Sequence, residues 1–406
     1  MGAAMMRTRT ALLCTAALVA ATLPAPAAAV TAAAAGRSSC VNSPEPSQGR
    51  ARQVLDVAER AERDLDLNSV VLSVTSGGKD IVTKAVGESM TGVPARPDMR
   101  FRSGSVGIAY MATVLLQLVD EGKVRLDEPV SRWLPRVPHG DRITLRMLGS
   151  STSGLHDYVT DPKFVAALEA APFRHWTPQQ LLDYSTGHPL WYEPGTNWSY
   201  SHANFVLLGA ALEKITGTRL DRLLDERVMG PLGLHETSNS FTPDIATPVL
   251  HAFTSERGLY EESTFWNPSW TTAPGAVITS DICDLARSAK AIGTGELLSR
   301  GGFRTQLDPG TVGLGRATSG CPATVCVAMT EAHHFGFGVI VLNGWIMQNP
   351  SFSGYAAVQA YLPEQQLSIA VSTTEGPKTP ADKNTAQVVA ERIAAVLAPD
   401  HPLATG

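Results

Sequence analysis

The chain has 406 residues, 44% of them hydrophobic and 17% charged, with a formal net charge of −5 at pH 7. This is the composition of an ordinary globular protein, long enough for one large domain or two closely packed ones. A mildly acidic balance does not recruit nucleic acid. Beyond the N-terminal segment, no stretch approaches the roughly twenty uninterrupted apolar residues of a membrane helix.

In chain order, Arg7 and Arg9 precede an apolar run from Ala11 to Leu23, followed by Pro24 and the small residues Ala27, Ala28 and Ala29. The pattern predicts a secretory signal peptide over residues 1–29, cleaved near Ala29 and too short in its apolar part to span a bilayer. Cys14 follows Leu13 inside that run, a poor fit to a lipoprotein cleavage site, so a released, extracellular protein is expected. Setting Cys14 aside leaves Cys40, Cys283, Cys321 and Cys326, an even number suited to an oxidising compartment. The spacing of Cys321 and Cys326 suits a small loop disulfide and leaves Cys40 and Cys283 as the candidate long-range pair; buried free thiols are the alternative.

Residues 30–49, rich in Ala, Ser and Pro, read as a flexible leader. From about Gln48 to Leu65, the residues Val54, Leu55, Val57, Ala58, Ala61 and Leu65 recur at helical spacing among charges, which predicts an amphipathic helix. The β-branched run from Val70 to Val74, the pair Gly77-Gly78 and the run from Ile81 to Val86 predict a hairpin. The glycine pair is a turn and not a phosphate loop, because no helix-opening Gly-Lys-Ser/Thr follows. The segment Ala109–Val119 is apolar nearly all round, as in a helix buried between two layers. The region to about Phe265 reads as mostly helical with Pro/Gly loops. Strand-like runs return at Phe337–Leu342, Tyr355–Leu362 and Leu367–Ser372, before a helix from about Ala386 to Leu397. Strands at both ends with a helical block between them predict an α+β fold. Its antiparallel sheet is assembled from distant parts of the chain and flanked by N- and C-terminal helices, with a mostly helical domain inserted. The expected bounds are 50–104 and 270–398 for the sheet part, 105–269 for the insert and 399–406 for a tail.

The chemically informative stretch runs from Phe101 through Arg102, Ser103, Gly104, Ser105, Val106 and Gly107 to Ile108. A serine ahead of a helix is by itself only an N-cap. Its company is more specific: the segment Leu115 to Val130 with Trp133-Leu134-Pro135, then Ile143 to Leu148, Thr152-Ser153-Gly154-Leu155, and Glu193 to Ser201. On these motifs the chain resembles the family of class C β-lactamases, D-alanyl-D-alanine carboxypeptidases and related esterases over most of residues 50–398. The resemblance implies a β-lactamase/transpeptidase-like fold and puts Ser105 at the nucleophile position. In that family a Ser-x-x-Lys motif opens a helix, so the lysine amine lies beside the hydroxyl it helps deprotonate. Three residues after Ser105 this chain has Ile108, which can neither accept a proton nor stabilise an alkoxide.

The family's second element, Tyr-x-Asn, reads Tyr200-Ser201-His202. Tyr200 keeps the position of the proton-exchanging phenol, but with no ammonium beside it its pKa is expected near the ordinary value of about 10. An imidazole changes charge near neutrality, so His202 is a candidate base, or it is a hydrogen-bonded part of the cleft wall. The third element, (Lys or His)-x-Gly on the strand edging the cleft, falls on Gln348, Asn349 and Pro350, which removes the positive charge and adds bulk. Ser151 stands where relatives carry a histidine. Gln348, Asn349, Ser151 and Trp345 are the expected substrate contacts, with Trp266 and Trp270 as further cleft walls or core residues. His333, His334, His251 and His235 do not suggest a metal, since adjacent histidines on a strand point opposite ways and no cysteine or carboxylate completes a ligand set. They are expected on the surface or in loops, and neither a metal nor a cofactor is expected.

Loss of a positioned general base costs about 10²–10⁴ in rate, and as much as ~10⁶ where residues act as a unit. Three functions fit these residues. One is a secreted protein with a degenerate active site that holds a peptide, cell-wall-type or small amide or ester ligand in the interdomain cleft, with the Ser105 N–H still available as an oxyanion donor. A second is a hydrolase or acyltransferase of altered mechanism, using Ser105 with Tyr200 or His202. The third is a non-hydrolytic biosynthetic enzyme with Tyr200 and His202 as acid and base. A monomer is expected.

Overall fold

Val54, Leu55, Val57, Ala58 and Ala61 form the buried stripe of helix α1 (Gly49–Asp64), as their spacing predicts. The computed structural model describes residues 40–404 except residue 240. These residues fall in one compact unit, and the predicted signal peptide lies outside them. Strands β1 (Leu67–Ser76) and β2 (Lys79–Met90) form the predicted hairpin, with Val70 opposite Val86. Gly77 and Gly78 make its turn at φ +57° and +76°, backbone angles that favour glycine.

The main sheet has nine strands. The others are β3 (Val93–Pro94), β4 (His333–Phe335), β5 (Ile340–Leu342), β6 (Trp345–Gln348), β7 (Ser351–Phe352), β8 (Tyr355–Leu362) and β9 (Leu367–Glu375). Their spatial order is β3-β2-β1-β9-β8-β6-β5-β4, with β7 beside β8. Pairing is antiparallel throughout, and the two ends of the chain meet where β1 lies against β9, with Val70 opposite Thr373. The strand expected over 337–342 starts late, because Gly336 and Gly338 turn the chain: the Gly336 N–H donates to the Val339 carbonyl at 2.9 Å.

Alternation along the strands sends residues into two separate cores. Val70, Leu72 and Val74 of β1 face α1 and the C-terminal helix, while Val71 faces the other way. The helices on that second face are α2 (Val106–Asp120), α3 (His202–Thr216) and α4 (Ile282–Thr294); the C-terminal helix is α5 (Thr385–Leu397). Every residue of α2 from Val106 to Leu116 is buried, which its all-round apolar sequence requires of a helix between the sheet and the helical block. A Cβ on Gly107 would lie 2.3 Å from the Ala276 carbonyl oxygen, so α2 rests on that backbone directly. No described helix is long and apolar enough to cross a membrane.

Two disulfides are present, Cys40–Cys283 and Cys321–Cys326. The first ties the start of the described chain to α4. A small hairpin, Phe253–Thr254 with Glu261–Glu262, is fastened to the end of β9. There the Tyr260 hydroxyl donates to the Glu375 carbonyl at 2.9 Å, and the Ser353 hydroxyl donates to the Glu256 carboxylate at 2.9 Å. Burial, and secondarily the charge of Glu256, pushes the Glu375 carboxyl up to about 7.

Replacing both cysteines of the Cys40–Cys283 pair by serine is expected to cost about 5 kcal/mol in the chain-entropy picture, against about 2 kcal/mol for Cys321–Cys326, because the loops closed differ in length. Urea unfolding of the two double variants measures the order. Glu375 holds a proton in the folded chain that the unfolded chain, with its ordinary value of 4.5, has already released. Folding stability is therefore expected to fall as pH rises from about 4.5 towards 7, by at most on the order of 3 kcal/mol, and Glu375→Gln should flatten that slope in urea midpoints taken at pH 5 and 8.

Candidate active site

Ser105 is placed by a short strand that leads into α2. Phe101–Arg102 pairs with Ile278–Ser280, and the Ser103 N–H donates to the Ile278 carbonyl at 2.9 Å. The chain then turns at Gly104, φ +27°, and Ser105 opens α2. Ile108, one turn later, is fully buried in the core. Ser105 stands in a cleft of about 440 Å³ whose walls include Tyr200, His202, Trp198, Trp270, His333, His334, Gln348, Asn349 and Pro350. None of its lining residues is lysine or arginine.

Tyr200 and His202 arrive at the start of α3, where the Ser201 hydroxyl caps the helix by accepting the Ala203 N–H at 3.3 Å. The Tyr200 phenol has Ser105 as its hydrogen-bonding neighbour. Burial, reinforced by the negative charge of Asp157, pushes the phenol above its ordinary range, and the Ser105 contact only partly offsets this. The expected pKa near the ordinary value is thereby corrected upward, so the phenol keeps its proton at neutral pH.

His202 has a partner that sequence reasoning missed. Both carboxylate oxygens of Asp157 lie 3.0 Å from His202 Nδ1, and one of them accepts the His202 backbone N–H at 3.2 Å. The pair is nearly enclosed, with side chains 15% and 10% exposed. A carboxylate at Nδ1 selects the tautomer with its proton there and leaves the Nε2 lone pair available, as in hydrolytic Asp–His pairs. The rings of Tyr200 and His202 meet edge to face, with centroids 5.1 Å apart. Asp157 precedes the single turn Tyr158–Thr160, which the Tyr158 hydroxyl pins to the Trp270 and Thr271 carbonyls at 2.8 Å. No local pattern joins Asp157 to His202, since only the tertiary fold brings this loop to the helix start.

The expected substrate contacts divide. Gln348 and Asn349 line the cleft, but both amides are engaged: Gln348 Nε2 donates to the Gly338 carbonyl at 2.8 Å and Asn349 Nδ2 to Gln387 Oε1 at 2.9 Å. Pro350 lies over the serine turn, 3.6 Å from where a Cβ on Gly104 would be. Ser151 is not in the cleft wall; it is buried, with its hydroxyl donating to the Ser199 carbonyl at 2.9 Å and accepting from Asn204 Nδ2 at 3.0 Å. Trp345 points through the other face of the sheet into the core under α1 and α5, its indole N–H on the His401 carbonyl at 2.9 Å, because alternation along β6 turns it away from Gln348's side. Of the tryptophans considered, Trp266 is in the core and Trp270 is a wall, stacked on Phe352 at 5.5 Å; Trp198 is an additional wall.

The expectation of surface or loop histidines is also corrected. His333 and His334 lie on β4 and line the cleft, and burial lowers the His333 pKa, with the neighbouring His334 adding to the effect. His334 is 6% exposed. His235 is exposed, and His251 pairs with Glu262 at 2.6 Å. Among the described residues the only close grouping of metal-type ligands is Cys40, Asp281 and Cys283, whose two thiols are joined to each other.

Residues 56–393 match the β-lactamase family model. This chain belongs to the β-lactamase family. Among related proteins, it is 32% identical over 193 residues to esterase EstB of Burkholderia gladioli, covering 44% of this chain and 49% of EstB. It is 32% identical over 194 residues to the D-alanyl-D-alanine-carboxypeptidase/endopeptidase AmpH of Escherichia coli K12, covering 46% of this chain and 48% of AmpH. The chain thus spans about half the length of the curated relatives it matches. A crystallised D-stereospecific amidohydrolase from a Streptomyces species superposes with a TM-score of 0.71 at 24% identity, covering 86% of this chain and 98% of that one; the likeness is one of fold.

In this β-lactamase-family fold Ser151 is a buried structural strut outside the cleft. Ser151→Ala strands the Ser199 carbonyl and one Asn204 donor in a buried site, so it is expected to lower unfolding free energy by about 1–3 kcal/mol in urea titrations.

Proposed function

We propose that this protein uses the β-lactamase-family cleft as an extracellular binding site for a small ligand bearing an amide or ester, and that the family's lysine-driven acylation of amides is lost. The observation that carries this reading is the absence of lysine and arginine from the cleft lining, with Ile108 sealed in the core where the amine belongs. The raised Tyr200 phenol cannot substitute as base at neutral pH. Release outside the cell is supported by the N-terminal sequence pattern and is compatible with two disulfides.

The Asp157–His202 pair favours a second reading, slow ester cleavage. The Ser105 hydroxyl proton passes to His202 Nε2, directly or through the Tyr200 hydroxyl, as the serine oxygen bonds to the ester carbonyl. The imidazolium then protonates the departing alkoxide, and water, deprotonated by His202, releases the acid and restores Ser105. An ester demands less of the base than an amide does, and the relative EstB is named an esterase.

Intact-mass measurement after incubation with a fluorescent penicillin and with a fluorophosphonate tests both readings. The penicillin adduct is expected to be absent on wild type and present on Ile108→Lys, with circular dichroism confirming that the variant is folded. A slow fluorophosphonate adduct that is lost in Ser105→Ala and slowed at least about tenfold in His202→Gln supports ester chemistry. Penicillin labelling of wild type as fast as that of Ile108→Lys defeats the proposal.

A further inference from the structure

We infer that a second groove, on the helical block, is a binding site for a small amphiphilic anion: an alkyl chain that carries a carboxylate. The inference does not depend on what the Ser105 cleft does, and no residue lines both cavities.

The groove encloses about 690 Å³, more than the 440 Å³ of the cleft and within the range of cavities that hold small ligands. Three segments build it: the loop over 133–138, the helix Pro178–Thr186 and the middle of α3. Along α3, Leu207, Ala210 and Lys214 recur at spacings of three and four, which sets them on one helix face. The apolar walls include Trp133, Leu134, Val137, Leu182, Leu207 and Ala210, and all of these but Leu207 keep part of their surface open to solvent. Apolar surface left open where three elements meet is surface that a matching chain can cover.

The polar side chains of the lining specify the other end of the guest. Thr177 accepts the Gln180 N–H at 3.3 Å, Gln179 donates to Asp183 at 2.7 Å, and the Thr186 hydroxyl donates to the Leu182 carbonyl at 2.8 Å. That leaves Arg136 and Lys214, both exposed and neither with an ion pair or side-chain hydrogen bond among the described residues. No aspartate or glutamate lines the groove. The acids beside it in sequence are engaged elsewhere: Asp183 accepts from Gln179, and Glu213 accepts the Leu220 N–H at 2.8 Å. Arg132, whose guanidinium lies 5.4 Å over the Trp133 ring, is matched by Glu128 at 2.6 Å. Charge of one sign beside low-dielectric walls concentrates the opposite ion, so this groove draws anions. A molecule with an apolar body and a negative end satisfies both halves of the lining; a neutral alcohol satisfies one, and an alkylammonium is repelled. Because both cations are exposed, burial of the chain supplies most of the affinity and charge supplies the selectivity.

Equilibrium dialysis of the full chain against radiolabelled decanoate, at pH 8 and below micelle-forming concentrations, tests this, with decan-1-ol and decylammonium as comparators. One decanoate per chain is expected, bound at least about threefold more tightly than decanol, at least about tenfold more tightly than decylammonium and roughly tenfold more tightly than octanoate. Arg136→Gln and Lys214→Gln should each weaken decanoate about two- to fivefold and leave decanol unchanged, and the double variant should erase the preference. Ala210→Trp, which fills the groove from α3, should abolish binding; the two glutamine variants, at exposed positions, keep the test decisive if the tryptophan variant unfolds. Ser105→Trp, which fills the cleft instead, should leave decanoate binding intact. Failure of wild type to bind decanoate, equal affinity for decanol or decylammonium, unchanged affinity in both glutamine variants, or loss of binding in Ser105→Trp overturns the inference. So does a dimer in sedimentation velocity that Ala210→Trp dissociates in a chain that takes up no decanoate, since the groove is then an interface between copies. Penicillin or fluorophosphonate labelling at Ser105 bears only on the cleft, so the two readings fail separately.

Discussion

The antiparallel seam between β1 and β9 is the constraint on which the rest of the molecule depends. It joins residues from opposite ends of the chain, with Val70 opposite Thr373 and Val74 opposite Ile369. Such a pairing carries the loop-closure cost of everything between, and the sheet recovers it by burying apolar side chains on both faces. Once the seam is closed, the intervening chain is an excursion with fixed endpoints. Ser105 sits where α2 begins, Tyr200 and His202 where α3 begins, and the cleft lies between these helix starts and the far side of the sheet, where β6 ends at Gln348.

That frame does not need the catalytic lysine. Position 108 belongs to a helix apolar on all sides, and an ammonium there must be desolvated and paired, whereas isoleucine simply joins the core. On the proposed reading, burial at position 108 stands in place of chemistry, the usual opposition between active-site function and stability.

What was legible in the sequence followed periodicity and local motif. The stripe of α1, the glycine turn of the first hairpin, the all-round apolar character of α2 and the terminal helix α5 are each fixed by residues close in sequence. Ser105, Tyr200 and His202 sit in recognisable strings, and the fold lines one cleft with all three. The features that escaped depend on contacts across the fold. Asp157 meets His202 only because a loop is pinned under Trp270, and His334 is buried only because the sheet extends beyond β5. Trp345 precedes cleft residues in sequence, but one step along a strand reverses the face on which a side chain emerges, and it packs in the core under α1 and α5. Ser151 occupies a familiar place in a motif, yet its hydroxyl is directed to the Ser199 carbonyl rather than to the cavity.

Gly107 gives the site a fixed datum. Because α2 meets the Ala276 carbonyl there with no room even for a methyl group, the start of the helix that carries Ser105 is held by a main-chain contact that a side chain at position 107 would displace. Lining residues can drift and exchange one chemistry for another while the hydroxyl stays where it is. A cleft built on such a rigid stop is open to having its reactivity removed, altered or reinstated one side chain at a time, without the scaffold being rebuilt.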